Sequence, residues 1–405
     1  MNVKLLPIAL LLASSPLVAE TEFEAYQRQQ QQAASTHQEK IDQEFVQYKQ
    51  ELAAGFQDYK KTYQIERKKY RQKITKQWGS YKESNKKTWV NYAQNGRVRE
   101  TVNFATGLVE VEILANKTES MAKIKQQAKQ SIVTLLATTE KQAFENDVVA
   151  QKVEEKLTQH TQVVKTGQPS DKTRVLAPLI SKATIYDKRA LEQLANSFVM
   201  SAQTESKPVK TETNKKVVKL SFKIPKNLSP KASLYSARIL EIANKEQIPV
   251  SLVYAVMETE SNFNPLAKSP IPAYGLMQIV PVSAGKDATQ YLFGKAKVLS
   301  PSYLYNGNNN IEIGGAYLHI LYHRYLKKID DSTSRLFCTI AAYNTGAGNV
   351  AKSFIGSYNI NKAAKKINTL SPVEVYRNLR KHLPHDETKD YIKRVAMRLA
   401  KYQTK

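Results

Sequence analysis

Leu252-Val253-Tyr254-Ala255-Val256-Met257-Glu258-Thr259-Glu260-Ser261-Asn262-Phe263-Asn264-Pro265 decides how the C-terminal half of this chain folds. Leu252, Ala255, Val256, Thr259 and Phe263 recur at steps of three and four, the period of a helix with one apolar face, and Glu260 falls on that face. Pro265 ends the helix just beyond it. Low dielectric and the negative end of the helix dipole both disfavour a charged carboxylate there. Such a place suits a general acid, which must hold its proton near neutral pH. The competing reading is one half of a structural ion pair. Glu258 lies roughly 200° around the helix, with Tyr254 and Asn262, and is expected to face solvent.

Working outward, segments 230–246, 250–261, 311–327, 334–343 and 388–402 carry apolar residues at helical spacing, with Pro and Gly between them. Residues 226–405 therefore read as an all-α domain without a strand of any length. Upstream the pattern differs. Phe45, Tyr48, Leu52, Phe56, Tyr59, Tyr63, Tyr70, Ile74, Trp78 and Tyr81 follow a helical period, with a turn missed at Glu66 and Arg67. A helix over 45–78 would reach about 50 Å, its aromatic stripe a packing seam and its other face a solvated charge run. Val102, Phe104, Val109, Val111 and Ile113 alternate around Ala105-Thr106-Gly107, a hairpin with Gly at the turn. A second helical stretch covers 117–160, residues 203–216 are polar and loose, and 217–224 alternate again as a strand. The first domain is α+β, long helices plus a small antiparallel sheet, over residues 20–225. It offers no catalytic constellation.

The N-terminus has Lys4, an apolar run from Leu5 to Ala13, and small residues through Ala19. This is the layout of a secretory signal peptide over 1–19, too short to span a membrane. No cysteine near residue 20 is available for a lipid anchor. Cys338 is the one cysteine among 405 residues, so no disulfide forms within the chain, and it is expected to pack as a small hydrophobe. The net charge of +25 favours polyanions. Export turns that preference toward anionic wall or lipid, and the lack of a recognition motif argues against nucleic acid. His319 and His323 stand at i,i+4 without an acidic ligand at zinc-protease spacing, so they are expected on the polar side of a helix. No metal and no cofactor is expected.

Further motifs follow Glu260-Ser261 in order: Ser269, Gly275-Leu276-Met277-Gln278, Ala342-Tyr343-Asn344-Thr345-Gly346, and Glu387-Thr388 with Tyr391. Spread over about 130 residues, they resemble the catalytic domain of the soluble lytic transglycosylase (goose-lysozyme-like) family. Residues 283–287, 329–335 and the stretch from Trp78-Gly79 to Val109-Glu110-Val111-Glu112 are similar to the membrane-bound lytic murein transglycosylase C branch of that family. The resemblance implies a lysozyme-like α domain and a substrate of peptidoglycan glycan strands. It also implies that one glutamate, Glu260, does both proton transfers, closing a 1,6-anhydro ring without water and without a second carboxylate.

By the same resemblance, Ser269, Met277, Gln278, Tyr343, Asn344 and Tyr391 bind substrate or wall the groove. Gln278 would do so by hydrogen bonding and Met277 by apolar contact, while Tyr391 closes the site from the last helix. Pro272, Tyr274 and Thr345 depart from the family pattern, the first two before the Gly-Leu-Met-Gln motif, where the groove is expected to change shape. The missing anchor cysteine departs further, leaving attachment to a basic surface that meets anionic membrane, or to a cell-wall protein complex. A periplasmic location follows from export. The rivals are a goose-type hydrolase and a non-catalytic wall-binding scaffold.

Overall fold

The structure is a computed structural model that describes residues 57–160, 164–209, 213–228 and 230–403, with Gln32 and Ala54. The signal-peptide reading over 1–19 and the first turns of the proposed 45–78 helix lie outside them. No helix among the described residues is long and apolar enough to cross a membrane.

Residues 57–78 are helical. Tyr59, Tyr63, Ile74 and Trp78 are buried along one seam. The missed turn has a physical answer: Glu66 is buried too, and it accepts hydrogen bonds from Lys156 at 2.9 Å and Lys69 at 3.1 Å. Arg67 pairs with Glu83 on the chain that leaves the helix.

A five-stranded antiparallel sheet follows, built from β1 (Thr88–Ala93), β2 (Val98–Asn103), β3 (Leu108–Asn116), β5 (Gln203–Pro208) and β6 (Lys215–Lys223), in the order β1-β2-β3-β6-β5. The expected hairpin is β2–β3. Asn103 shapes its turn by accepting from the N–H groups of Ala105 and Thr106 at 3.0 and 3.1 Å. Gly107 takes φ +74°, and a Cβ there would sit 2.9 Å from the Ile224 carbonyl. Val109, Val111 and Ile113 pair with Phe222, Leu220 and Val218, so both strands turn one apolar row to the same face. Helices Met121–Ala137 and Lys188–Ser201 cover the sheet. Three helices, not one, occupy 117–160. Ser120 caps the first and Thr139 opens the second with a capping box to Gln142.

Two expectations need correction. Residues 203–216 were expected to be loose, but 203–208 form edge strand β5. Every residue of it is exposed, so it carries no apolar alternation for a sequence reading to detect. The C-terminal half also holds a two-residue strand, β7 (Val298–Leu299), parallel to β4 (Val164–Lys165).

The C-terminal half is otherwise helical. Helix Val250–Glu260 is buried on nearly every side, Val253 and Met257 as well as the expected face, because the last helix, Asp386–Gln403, packs along it. Cys338 is fully buried, and burial pushes its thiol well above the ordinary range. His319 and His323 sit at the end of helix Ser236–Glu246 and donate to the carbonyls of Glu246 and Gln247, at 2.9 Å each. One hydrophobic core runs from Tyr59 to Tyr402, so the two halves share their interior. Tyr59, Tyr274 and Tyr305 meet in that core, and the Lys268 ammonium crosses to Asp147 at 2.9 Å.

Glu100 on β2 faces the same interior. It is 2% exposed and accepts from Ser131 at 2.6 Å and Asn91 at 2.8 Å. Burial outweighs both bonds and lifts its carboxyl from 4.5 to about 7. Between those values the folded chain keeps a proton that the unfolded chain has lost. The associated stability is full below pH 4.5 and declines as pH rises to 7, by on the order of 3 kcal/mol. Urea unfolding of Glu100→Gln should therefore show a flatter pH dependence than the parent between pH 4.5 and 7. Parallel curves would mean that Glu100 does not titrate in that window.

Candidate active site

Glu260 is the last residue of its helix and Ser261 is the cap. The Ser261 hydroxyl donates to the Met257 carbonyl at 3.0 Å and accepts from the Phe263 N–H at 3.1 Å. That double contact turns the chain away at once. Asn262 and Phe263 then adopt φ +53° and +64°, a region costly for side chains other than Gly. The Asn262 amide donates to the Phe104 carbonyl at 2.7 Å and Phe263 packs near Tyr235. The strained corner is thus held from both sides, with Glu260 at its apex.

Glu260 opens into a cavity of about 460 Å³ whose lining includes Ser269, Gln278, Tyr343, Asn344 and Thr345. That volume suits a small-molecule or saccharide unit. Gln278 is held at φ +51°; its amide nitrogen donates to the Gly275 carbonyl at 3.1 Å and its amide oxygen finds no protein partner. The Tyr343 hydroxyl donates to the Met277 carbonyl at 2.8 Å. Burial, then the nearby Glu260 charge, holds that phenol well above its ordinary range. Asn344 accepts from the Thr388 hydroxyl at 2.7 Å, which ties the Tyr-Asn motif to the Glu-Thr motif. Ser269 closes its own loop, donating to the Ile271 carbonyl and accepting from the Ala273 N–H.

Met277 and Tyr391 are in the walls and not the lining. Met277 is fully buried with its thioether against Gly314, so it cannot offer the apolar contact expected of it; its backbone serves instead, receiving Tyr343 and donating to Asn310 at 2.8 Å. Tyr391 is buried beside Glu260, and burial followed by that carboxylate's charge keeps its phenol well above the usual range. Tyr274 turns from the groove into the shared core, so its size leaves the cavity untouched. Glu258 points away from Glu260 as expected but is not free in solvent. Burial opposes its charge, yet Lys401 at 2.9 Å and the Tyr402 hydroxyl at 2.7 Å hold its carboxyl below the ordinary range.

Two charged groups in the cavity have no counterpart among the expected site residues. Lys86, from the loop before β1, places its Nζ 3.0 Å from Glu260 Oε2 and 4.0 Å from Glu387 Oε1. Glu387 is thus a second carboxylate at the rim, its side chain 71% exposed. Among the described residues, no group of three or more His, Cys, Asp or Glu side chains is placed to hold a metal ion. A second cavity, beside Trp78, is lined by charges that already pair, Arg99 with Glu112 and Lys82 with Glu110.

Two family models match separate stretches of the chain. Residues 238–367 match the family model of the transglycosylase SLT domain. Residues 56–169 match that of the membrane-bound lytic murein transglycosylase C N-terminal domain. The chain is 40% identical over 182 residues to membrane-bound lytic murein transglycosylase C of Klebsiella pneumoniae, covering 45% of this chain and 50% of that protein. It is 41% identical over 172 residues to the protein of that name from Yersinia pestis, covering 42% and 47%. The aligned region spans about half the length of these curated relatives. Among solved structures, the 70 kDa soluble lytic transglycosylase of Escherichia coli aligns with a TM-score of 0.35 and 17% identity, over 70% of this chain and 44% of that one.

Proposed function

We propose that the chain is a peptidoglycan lytic transglycosylase, with residues 226–405 as its lysozyme-like catalytic domain and 20–225 as an accessory domain. One observation carries the reading. A glutamate with 4% of its surface exposed stands at a strained helix end in a saccharide-sized cavity, inside the segment that matches the SLT domain.

Glu260, protonated, donates its proton to the oxygen linking N-acetylmuramic acid to N-acetylglucosamine, and the bond from that oxygen to the muramoyl C1 breaks. The resulting carboxylate removes the proton from the muramoyl C6 hydroxyl, and O6 bonds to C1 to close the 1,6-anhydro ring. Glu260 ends protonated, as it began, and water is not consumed. The oxocarbenium-like state is stabilised by dipoles: the substrate's own acetamido group, and the Gln278 amide oxygen, which can accept a sugar hydroxyl or amide N–H. Tyr343 and Asn344 form the facing wall, and Ser269, on the rim loop, is the residue assigned to receive the muramoyl acetamido group. The basic chain, the leader-like 1–19 and the name of its relatives support a periplasmic enzyme held near the envelope by anionic surfaces.

Purified protein incubated with intact sacculi is expected to release muropeptides whose masses correspond to anhydro-muramoyl ends. Reducing ends would assign hydrolysis, and no release would assign a scaffold.

A further inference from the structure

The N-terminal half reaches the acid through one side chain. Asn85 builds the turn that presents it: its Oδ1 accepts from the N–H groups of Lys87 and Thr88 at 2.9 and 3.0 Å, and its own N–H donates to the Thr88 carbonyl at 2.8 Å. The turn is fastened to the sheet where the Phe104 N–H donates to the Lys87 carbonyl at 2.8 Å. It is fastened to the catalytic half by Asn264, which donates to the Lys86 carbonyl at 3.4 Å, and by the Asn262 and Lys231 bonds to the Phe104 carbonyl. Lys86 is therefore delivered to Glu260 by backbone anchored on both sides. In the pair the ammonium side chain is 34% exposed and the carboxylate side chain 5%. This geometry is not a loose surface contact.

We infer that Lys86 is a positioning residue that sets the charge and orientation of Glu260, so that the accessory half governs the acid of the catalytic half. The inference rests on the transglycosylase reading above. Its chemistry is a matter of balance between the two steps. An ammonium at hydrogen-bond distance favours the carboxylate over the acid. It therefore opposes the first proton donation and assists the second step, in which Glu260 must be an anion. The other groups facing Glu260 are Tyr343 from helix Ser332–Thr345, Tyr391 from the last helix, and Glu387 and His385 at the cavity rim, with Arg394 behind Tyr391. Both tyrosines are neutral at working pH, since burial raises each phenol. Glu387 would oppose Lys86 but stands at 4.0 Å from it, on the solvent side. Among the described residues, Lys86 is the cation that pairs with the Glu260 carboxylate.

The test is the pH profile of kcat/KM on purified soluble glycan strands for Lys86→Met and Lys86→Arg in the full chain, with thermal melting to verify folding. The alkaline limb reports loss of the acid's proton in the free enzyme. It is expected to move to higher pH in Lys86→Met and to stay at the parent position in Lys86→Arg. A purely structural lysine would lower activity at every pH and leave the limb where it was, so superimposable normalised profiles overturn the inference. Should Lys86→Met fail to fold, an unshifted limb in Lys86→Gln would do the same. If Glu260→Gln were itself active, the transglycosylase reading would fall first, a result distinct from an unshifted limb.

Discussion

Glu260→Gln is expected to lose at least about three orders of magnitude in turnover on peptidoglycan, while its binding to sacculi and its melting temperature stay close to the parent's. General acid–base catalysis by one placed group is worth roughly 10²–10⁴-fold, and in the proposed mechanism the same side chain serves in both transfers. Gln fills the same volume and can still meet Lys86 through its carbonyl oxygen, so the fold has no reason to change. Glu387→Gln is the informative companion. Glu387 lies in the same cavity, but its side chain is 71% exposed. A pair of carboxylates is what a hydrolytic glycosidase needs, and a ring-closing enzyme does without the second. Glu387→Gln should therefore cost less than about tenfold, well short of the loss expected for an acid–base group. Equal, large losses for both variants, read by the rate of soluble muropeptide release, would revive the two-carboxylate mechanism.

Gly275→Ala is expected to give the largest loss of stability, about 3 kcal/mol or more, with activity falling in parallel. Gly275 sits at φ +76°, and an added Cβ would meet the Leu304 carbonyl oxygen at 2.5 Å and collide with the Asn310 amide. The Asn310 side chain is fully buried and organises the loop that carries Gln278. Its nitrogen donates to the carbonyls of Tyr274 and Leu304 at 2.8 and 2.9 Å, and its oxygen accepts the Met277 N–H. A methyl group cannot be accommodated without pulling these bonds apart, and buried groups left unpaired are expensive. Urea unfolding measures the effect; a loss below about 1 kcal/mol would mean the loop relaxes freely and does not hold Gln278 by this clamp.

The parts of the site legible in the sequence are those whose signal is local. Glu260 falls on a helical period, and its capping serine follows immediately. Gln278, Tyr343 and Asn344 lie in short motifs, and the cavity gathers all of them with Ser269. What escaped depends on distant contacts. Lys86 is one of many lysines until the Asn85 turn and the Phe104 anchor carry it across to position 260, a sequence separation of 174. Asn310 is one of three successive asparagines, and only its burial beneath the Gly275 loop separates it from Asn308 and Asn309. Glu258 was expected in solvent because its partners, Lys401 and Tyr402, lie more than 140 residues away. Met277 sits within a recognisable motif, yet motif membership does not tell which side chains face a groove and which face Gly314 behind it. For the fold, alternation revealed β3 and β6, whose inner rows are apolar, and could not reveal β5, exposed along its length.

In the proposed reaction the C6 hydroxyl, and not water, attacks the muramoyl carbon under control of Glu260. Digestion of sacculi in water enriched in oxygen-18, followed by mass analysis of the released muropeptides, tests it most directly. The mechanism predicts no heavy oxygen in any newly formed glycan end. One heavy oxygen per cleaved bond would make water the acceptor and contradict it.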